Sequence, residues 1–237
     1  MNILLIGASS IIGSSIAKRF ANNNELFLLS TKGEKLEILK NEVLNLGSQR
    51  VEIIESDLKS PMNIIKLIPT SIDMIINAAS ATARLKNNEI NPHSHQYYTG
   101  VDLTSPLVIL EHFLKKIKKG ENKQLYYIFI NTVLSKIKSP GYSIHYSYKV
   151  LQQGYLNNFK QEYGDTLKTI NVIVGKKIDR NKESTPPINL ANKIQEAIKN
   201  NESEFIYGIE GKIIYFFSRI SPLLSDSIIY IKRLLLR

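Results

Sequence analysis

The sequence predicts a doubly wound parallel sheet in a three-layer α/β/α domain, and three observations carry that prediction. Short apolar runs alternate along the chain with stretches of helical periodicity. The first run, Ile3-Leu4-Leu5-Ile6, leads into a glycine-bounded turn, Gly7-Ala8-Ser9-Ser10-Ile11-Ile12-Gly13, and then a helical stretch. Polar residues cluster where the apolar runs end. Repeated strand–helix–strand order implies parallel strands joined by right-handed crossovers, with helices on both faces.

The elements follow in order. Residues 1–6 read as a buried strand, 14–22 as a helix, 25–30 as a second strand and 35–46 as a helix with Leu36, Ile38, Leu39, Val43 and Leu46 at helical spacing. Strand 51–54 ends at Ser56-Asp57, and 61–68 is a short helix. Strand 72–77 is followed by a polar loop, 84–94, and by a helix over 104–118 that turns Leu107, Leu110, Phe113 and Ile117 inward. Strand 125–131, helix 142–163, strand 169–174, helix 190–200 and a last strand at 204–209 complete the pattern.

Composition sets limits. The chain has 237 residues, 43% of them hydrophobic, enough for one substantial core. We therefore divide it into one domain over residues 1–210 and an apolar–basic tail over 211–237. Without cysteine, disulfides and thiolate chemistry are excluded. The N-terminus enters a strand without a basic leader, and no apolar run reaches the ~18 residues of a membrane span, so a cytoplasmic chain is expected. The net charge of +10 favours anionic partners such as phosphorylated cofactors or acidic lipid surfaces. No nucleic-acid motif accompanies it, and no nucleic-acid partner is expected. His93 and His95 sit in a polar stretch without a clear third ligand, so no metal site is expected.

A strand, a glycine turn and a helix start form a phosphate cradle. The short turn lets the backbone approach a pyrophosphate, and the free amides of the helix start receive it. With this turn, Asp57 after the third strand, Asn77-Ala78-Ala79 after the fourth, Lys149 on the helix after the fifth and Gly175 after the sixth, the chain resembles the short-chain dehydrogenase/reductase family over nearly its whole length. The resemblance implies a Rossmann-type sheet that binds NAD or NADP. It assigns Gly7 to the tight turn and Gly13 to close helix packing, with Ser9, Ser10 and Ile12 around the pyrophosphate. Ile11 takes the place of the pattern's middle glycine. Asp57, with Leu58, belongs beside the adenine, and Asn77, Ala78, Ala79 and Gly175 line the cofactor's path. The second strand ends in Ser30-Thr31-Lys32, with no acid for the ribose 2′-hydroxyl. A hydroxyl pair and a lysine suit a 2′-phosphate, so NADP is favoured over NAD.

The family's reaction centre uses an Asn, a Ser, a Tyr and a Lys. Here only the lysine, Lys149, remains: His145 stands four residues earlier, where the Tyr belongs, Thr132 stands for the Ser and Asp102 for the Asn. Thr132 keeps a hydroxyl that can polarise a carbonyl oxygen. An imidazolium at His145 could donate a proton near neutral pH from an ordinary pKa of ~6.5, although a nearby ammonium would depress it. Among the neighbouring tyrosines, Tyr148 points elsewhere on the helix, Tyr146 approaches only with altered geometry and Tyr142 lies on the Lys149 face.

Three readings stay open. The first is an NADP-dependent oxidoreductase acting between a carbonyl and an alcohol on a hydrophobic or lipid-linked substrate. The second is a catalytically silent dinucleotide-binding or scaffold subunit. The third is a nucleotide-sugar epimerase or dehydratase. The tail, apolar but punctuated by Lys212, Arg219, Lys232, Arg233 and Arg237, either lies in a membrane interface or packs on its own domain or a partner subunit. The resemblance also implies a homo-oligomer.

Overall fold

A computed structural model of the chain describes residues 1–81, 91–117, 123–136, 143–175 and 188–220. Seven strands form one parallel sheet in the order β3-β2-β1-β4-β5-β6-β7. They are β1 (Asn2–Ile6), β2 (Glu25–Ser30), β3 (Arg50–Glu55), β4 (Met74–Asn77), β5 (Leu125–Thr132), β6 (Leu167–Val174) and β7 (Glu204–Tyr207). The helices are α1 (Ile11–Arg19), α2 (Gly33–Asn45), α3 (Pro61–Leu67), α4 (Pro92–Thr99), α5 (Ser105–Lys116), α6 (Ser143–Tyr163), α7 (Ile188–Lys199) and α8 (Ile209–Ile220). The strand order reverses between β1 and β4, and a crevice opens at their carboxyl ends.

The sheet divides the core in two. On one face Ile3, Leu5, Leu26, Leu28, Ile128 and Val172 pack against Ile16, Leu36, Leu39 and Ile194 of α1, α2 and α7. On the other, Leu4, Ile6, Phe27, Ile75, Tyr127 and Phe129 pack against Ile64, Leu110, Phe113 and Leu156 of α3, α5 and α6. Strands covered on both faces read as continuous apolar runs, which is why the strands stand out in the sequence.

Two expectations are corrected. Residues 91–94, read as the end of a polar loop, begin α4: Asn91 Oδ1 accepts from Ser94 N–H, Ser94 Oγ accepts from Asn91 N–H, and Pro92 occupies the first turn. This reciprocal cap starts a helix without an apolar stripe to announce it. The helix expected over 104–118 is accordingly the second half of a longer run. A π-helical turn over Gly100–Thr104 joins α4 to α5. His93 and His95 thus lie on a helix, where His95 Nδ1 is 3.2 Å from the hydroxyl of Tyr148. Among the described residues no cluster of metal-ligating side chains forms.

α8 straddles residues 210 and 211 and docks through Gly211, against which the Cα of Gly175 is packed so tightly that neither position has room for a Cβ. Gly175, expected along the cofactor's path, lies here against Gly211 and allows this close helix approach. Residues 221–237 lie outside the described residues. No helix among the described residues is long and apolar enough to cross a membrane.

Candidate active site

The site grows from the carboxyl ends of β1, β4 and β5. Gly7 leaves β1 with φ +82°, and its amide bonds Leu29 O at the end of β2 (2.9 Å). A Cβ there would stand 2.6 Å from Ala79 N and 2.9 Å from Ala78 C, so the turn after β1 lies directly on the turn after β4. Gly13 meets the same limit from the other side: a Cβ would be 2.3 Å from Gly7 O. Only hydrogen at both positions lets α1 start this close to the sheet.

Ser10 caps α1, its hydroxyl accepting from Gly13 N–H at 3.0 Å. The amides of Ile11 and Ile12 take no partner among the described residues and so are open to a ligand. Ile11, in the middle-glycine position, is 40% exposed at the head of the helix rather than packed into the turn. Ile12 is half-buried against the core. The Ser9 hydroxyl meets that of Ser30, which links the turn to the end of β2. These free amides over a glycine turn fit the pyrophosphate of a dinucleotide.

At the end of β4, Asn77 is fully buried. Its Oδ1 accepts from Ala79 N–H (3.2 Å), and its Nδ2 donates to the Tyr127 hydroxyl (3.3 Å). Gln152 of α6, three residues beyond Lys149, donates to the same hydroxyl at 2.9 Å. Burial pushes the Tyr127 phenol well above its ordinary range, so the ring is a neutral strut between β4, β5 and α6. Tyr127 escaped the sequence reading because an aromatic in a strand carries no signal beyond its strand.

Lys149 is 2% exposed. Its ammonium lies 3.3 Å from Ile130 O and 3.5 Å from Ala79 O, and 4.7 Å from the centre of the Phe129 ring. Burial lowers its pKa, and the negative charge of Asp102 partly restores it. Asp102 is itself buried, carried inward by the π-turn, and its Oδ1 accepts from Ala81 N–H at 3.0 Å. A π-turn re-aims side chains and is often found at functional sites. Thr132 closes β5 two residues past Ile130, with its amide donating to Asn131 Oδ1 (2.8 Å). The structure thus brings Lys149, Asp102 and the Asn77–Ala79 turn together, with Thr132 two residues along β5 from the carbonyl that Lys149 bonds.

His145 lies one turn before Lys149 on α6; its side chain, and the whole of Tyr142, lie outside the described residues. Tyr148 turns away, as expected, and its hydroxyl meets Thr99 Oγ1 at 2.6 Å.

The adenosine side is less concentrated. Asp57 caps its own turn, accepting from Lys59 N–H (3.1 Å) and pairing with the Lys59 ammonium (3.5 Å). Leu58 is buried, and its carbonyl accepts from Ser105 Oγ of α5. Thr31 and Lys32 are exposed at the head of α2. There Gly33 N–H donates to Glu55 Oε1 at 3.2 Å, a carboxylate that the sequence reading missed. Its only sequence signal is the strand register, which sets Glu55 opposite Ser30.

A polar chain also leaves the site. Asn131 donates to Asn171 Oδ1 (3.1 Å), Asn171 to Glu204 (2.6 Å), and Tyr215 of α8 to the same carboxylate (3.1 Å). It ties the strand end that carries Thr132 to α8.

The family model for short chain dehydrogenases matches residues 1–179. No curated protein sequence matches the chain. Among solved structures, a short-chain dehydrogenase from Streptomyces avermitilis is similar over 98% of this chain and 97% of its own, at 15% identity and a TM-score of 0.79. The bulky-bulky ketone specific alcohol dehydrogenase from Comamonas testosteroni is similar over 95% and 94%, at 17% identity and 0.78. A short-chain dehydrogenase from Sphingobium yanoikuyae, in complex with NADPH, is similar over 95% of both chains, at 17% identity and 0.77. These likenesses show the shared sheet and its helices. With its glycine turn, its Asn77 strand end and its buried lysine in one crevice, the chain belongs to the short-chain dehydrogenase family.

Proposed function

We propose that the protein is an NAD(P)-dependent oxidoreductase that interconverts a carbonyl and an alcohol on a hydrophobic or lipid-linked substrate. The observation that carries this reading is the Lys149 ammonium, buried between Ala79 O and Ile130 O at the two strand ends where Asn77 and Thr132 stand. A buried cation with a depressed pKa has a functional rationale where a purely structural one would favour an apolar side chain.

A bound nicotinamide supplies or accepts the hydride. The chain's own residues handle the proton. Thr132 donates its hydroxyl to the substrate oxygen, and the His145 imidazolium gives that oxygen a proton in the reductive direction. Lys149 supplies positive potential at the site, which stabilises developing negative charge on the oxygen. The negative charge of Asp102 offsets part of the lowering that burial imposes on Lys149. Thr31 and Lys32 offer a hydroxyl and an ammonium to the 2′ group of the adenosine ribose.

The test is NADH or NADPH oxidation over a panel of apolar ketones and aldehydes. Turnover that vanishes in Thr132→Val supports the reading. Tight cofactor binding with no turnover across the panel would favour the silent-subunit alternative instead, and a gain of reductase activity in His145→Tyr would show an intact scaffold with an idle native site.

A membrane contact is favoured by α8. Ile209, Ile213, Phe216 and Ile220 are all exposed and fall on one stripe of the helix, and the exposed Lys212 and Arg219 both lie along one flank of it. That pattern suits an anionic bilayer interface. We expect Phe216→Ser combined with Ile220→Ser to reduce pelleting with anionic vesicles; unchanged pelleting would contradict it. Exposed Val150, Leu151 and Tyr155 on α6 support self-association through that helix.

A further inference from the structure

We infer that Glu55, at the end of β3, sets the cofactor preference by holding the adenosine-ribose position for a 2′-hydroxyl and against a 2′-phosphate. The inference rests on the dinucleotide reading above. It reverses the preference for NADP that the end of β2 alone suggests.

The argument starts from the sheet. The ribose of a dinucleotide lies over the carboxyl end of the second strand, beside the glycine turn, and an acid there accepts from its 2′-hydroxyl. β2 ends in Ser30, Thr31 and Lys32 and offers no acid. Parallel pairing sets Glu55 level with Ser30, and Ser56 N–H bonds Ser30 O at 3.0 Å, so β3 ends at the same height as β2. From there the Glu55 side chain crosses to the head of α2, where Oε1 accepts from Gly33 N–H. A Cβ on Gly33 would stand 2.3 Å from Glu55 Oε2, so the carboxylate lies directly against the head of α2. Ser9 of the glycine turn bonds Ser30 on the other side. The carboxylate therefore stands at the head of α2, on a strand end level with Ser30, whose hydroxyl meets the glycine turn.

Glu55 claims the first amide of α2, which would otherwise hold an anion. A 2′-phosphate would have to displace a carboxylate from that amide and then sit beside its charge. A 2′-hydroxyl instead donates to the free lone pairs of the same carboxylate. Specificity then comes from a repulsive element as well as an attractive one. Lys32 and Thr31 remain at the turn; removing the Glu55 charge leaves them to receive a phosphate.

Titration of wild type and Glu55→Gln with NADH and NADPH, followed by cofactor fluorescence without substrate, tests this. Glutamine keeps an oxygen for Gly33 N–H and removes only the charge. Wild type should bind NADH the more tightly, and Glu55→Gln should shift the ratio of dissociation constants toward NADPH by about tenfold. Glu55→Asp, which keeps the charge, should hold the ratio on the NADH side, and circular dichroism melts of both variants check folding. An unchanged ratio in Glu55→Gln, or tighter NADPH binding by wild type, overturns the inference while leaving the cofactor site standing; Glu55 would then be only a helix cap. Failure of wild type to bind either dinucleotide overturns the underlying reading as well.

Discussion

Replacing Lys149 by methionine should lower turnover at least about a hundredfold while making the fold more stable than wild type at neutral pH. The two effects separate because the ammonium serves the reaction and burdens the fold. It is buried among Phe129, Ala79 O and Ile130 O, and burial lowers its pKa despite Asp102. In the unfolded chain the same lysine titrates near ~10.4. Between the lowered folded value and the unfolded one, the unfolded state binds more protons, so wild-type stability should rise with pH across that window. Below the window the cost of burying the charge is fully present; above it the cost is gone. Lys149→Met lacks the group and should lack the rise, so the two stability curves should converge as pH approaches 10. Urea unfolding between pH 7 and 10.5 measures this. A wild-type curve that is flat, or that falls in parallel with the variant, would mean that the lysine is not held charged in a dry site.

Gly7→Ala should cost about 3 kcal/mol or more and abolish cofactor binding. The residue sits at φ +82°, and an added methyl would stand 2.6 Å from Ala79 N and 2.8 Å from Ala79 Cα. Neither backbone can yield easily: Ala78 N–H bonds Ile6 O at 2.9 Å, and Gly7 N–H bonds Leu29 O at 2.9 Å. Gly154 in α6 is the matched control, because a Cβ there meets nothing within 4 Å. Gly154→Ala should stabilise by about 0.5–1 kcal/mol through helix propensity and a less flexible unfolded chain. Equal melting of Gly7→Ala and wild type would show that the β1 and β4 turns do not touch.

The sheet was legible because its strands are buried on both faces. Ile3–Ile6, Leu26–Leu29 and Met74–Ile76 are unbroken apolar runs, the first followed by the glycine turn and the others by a polar strand end, Ser30 and Asn77. The glycine turn, Asn77 and Lys149 were legible because each needs a particular residue type at a strand end or one helix turn away. Sequence could not disclose what distant elements bring together. Asn171 lies 40 residues from Asn131 and 33 from Glu204, and nothing local announces that the three form one chain. The start of α4 was missed because its cap, Asn91 with Ser94, precedes a polar helix. Glu55 carries no local signal, because only strand register sets it level with Ser30 at the end of β2. Tyr127, read as one more strand aromatic, joins Asn77 to Gln152.

The measurement that bears most directly on the whole account is equilibrium titration of wild-type protein with NADH and NADPH beside Gly7→Ala as a folded-state-checked comparison. The account predicts saturable binding of at least one dinucleotide at a single site per chain, lost when the turn is blocked. Absence of binding of both, in a wild-type protein that unfolds cooperatively, would contradict it.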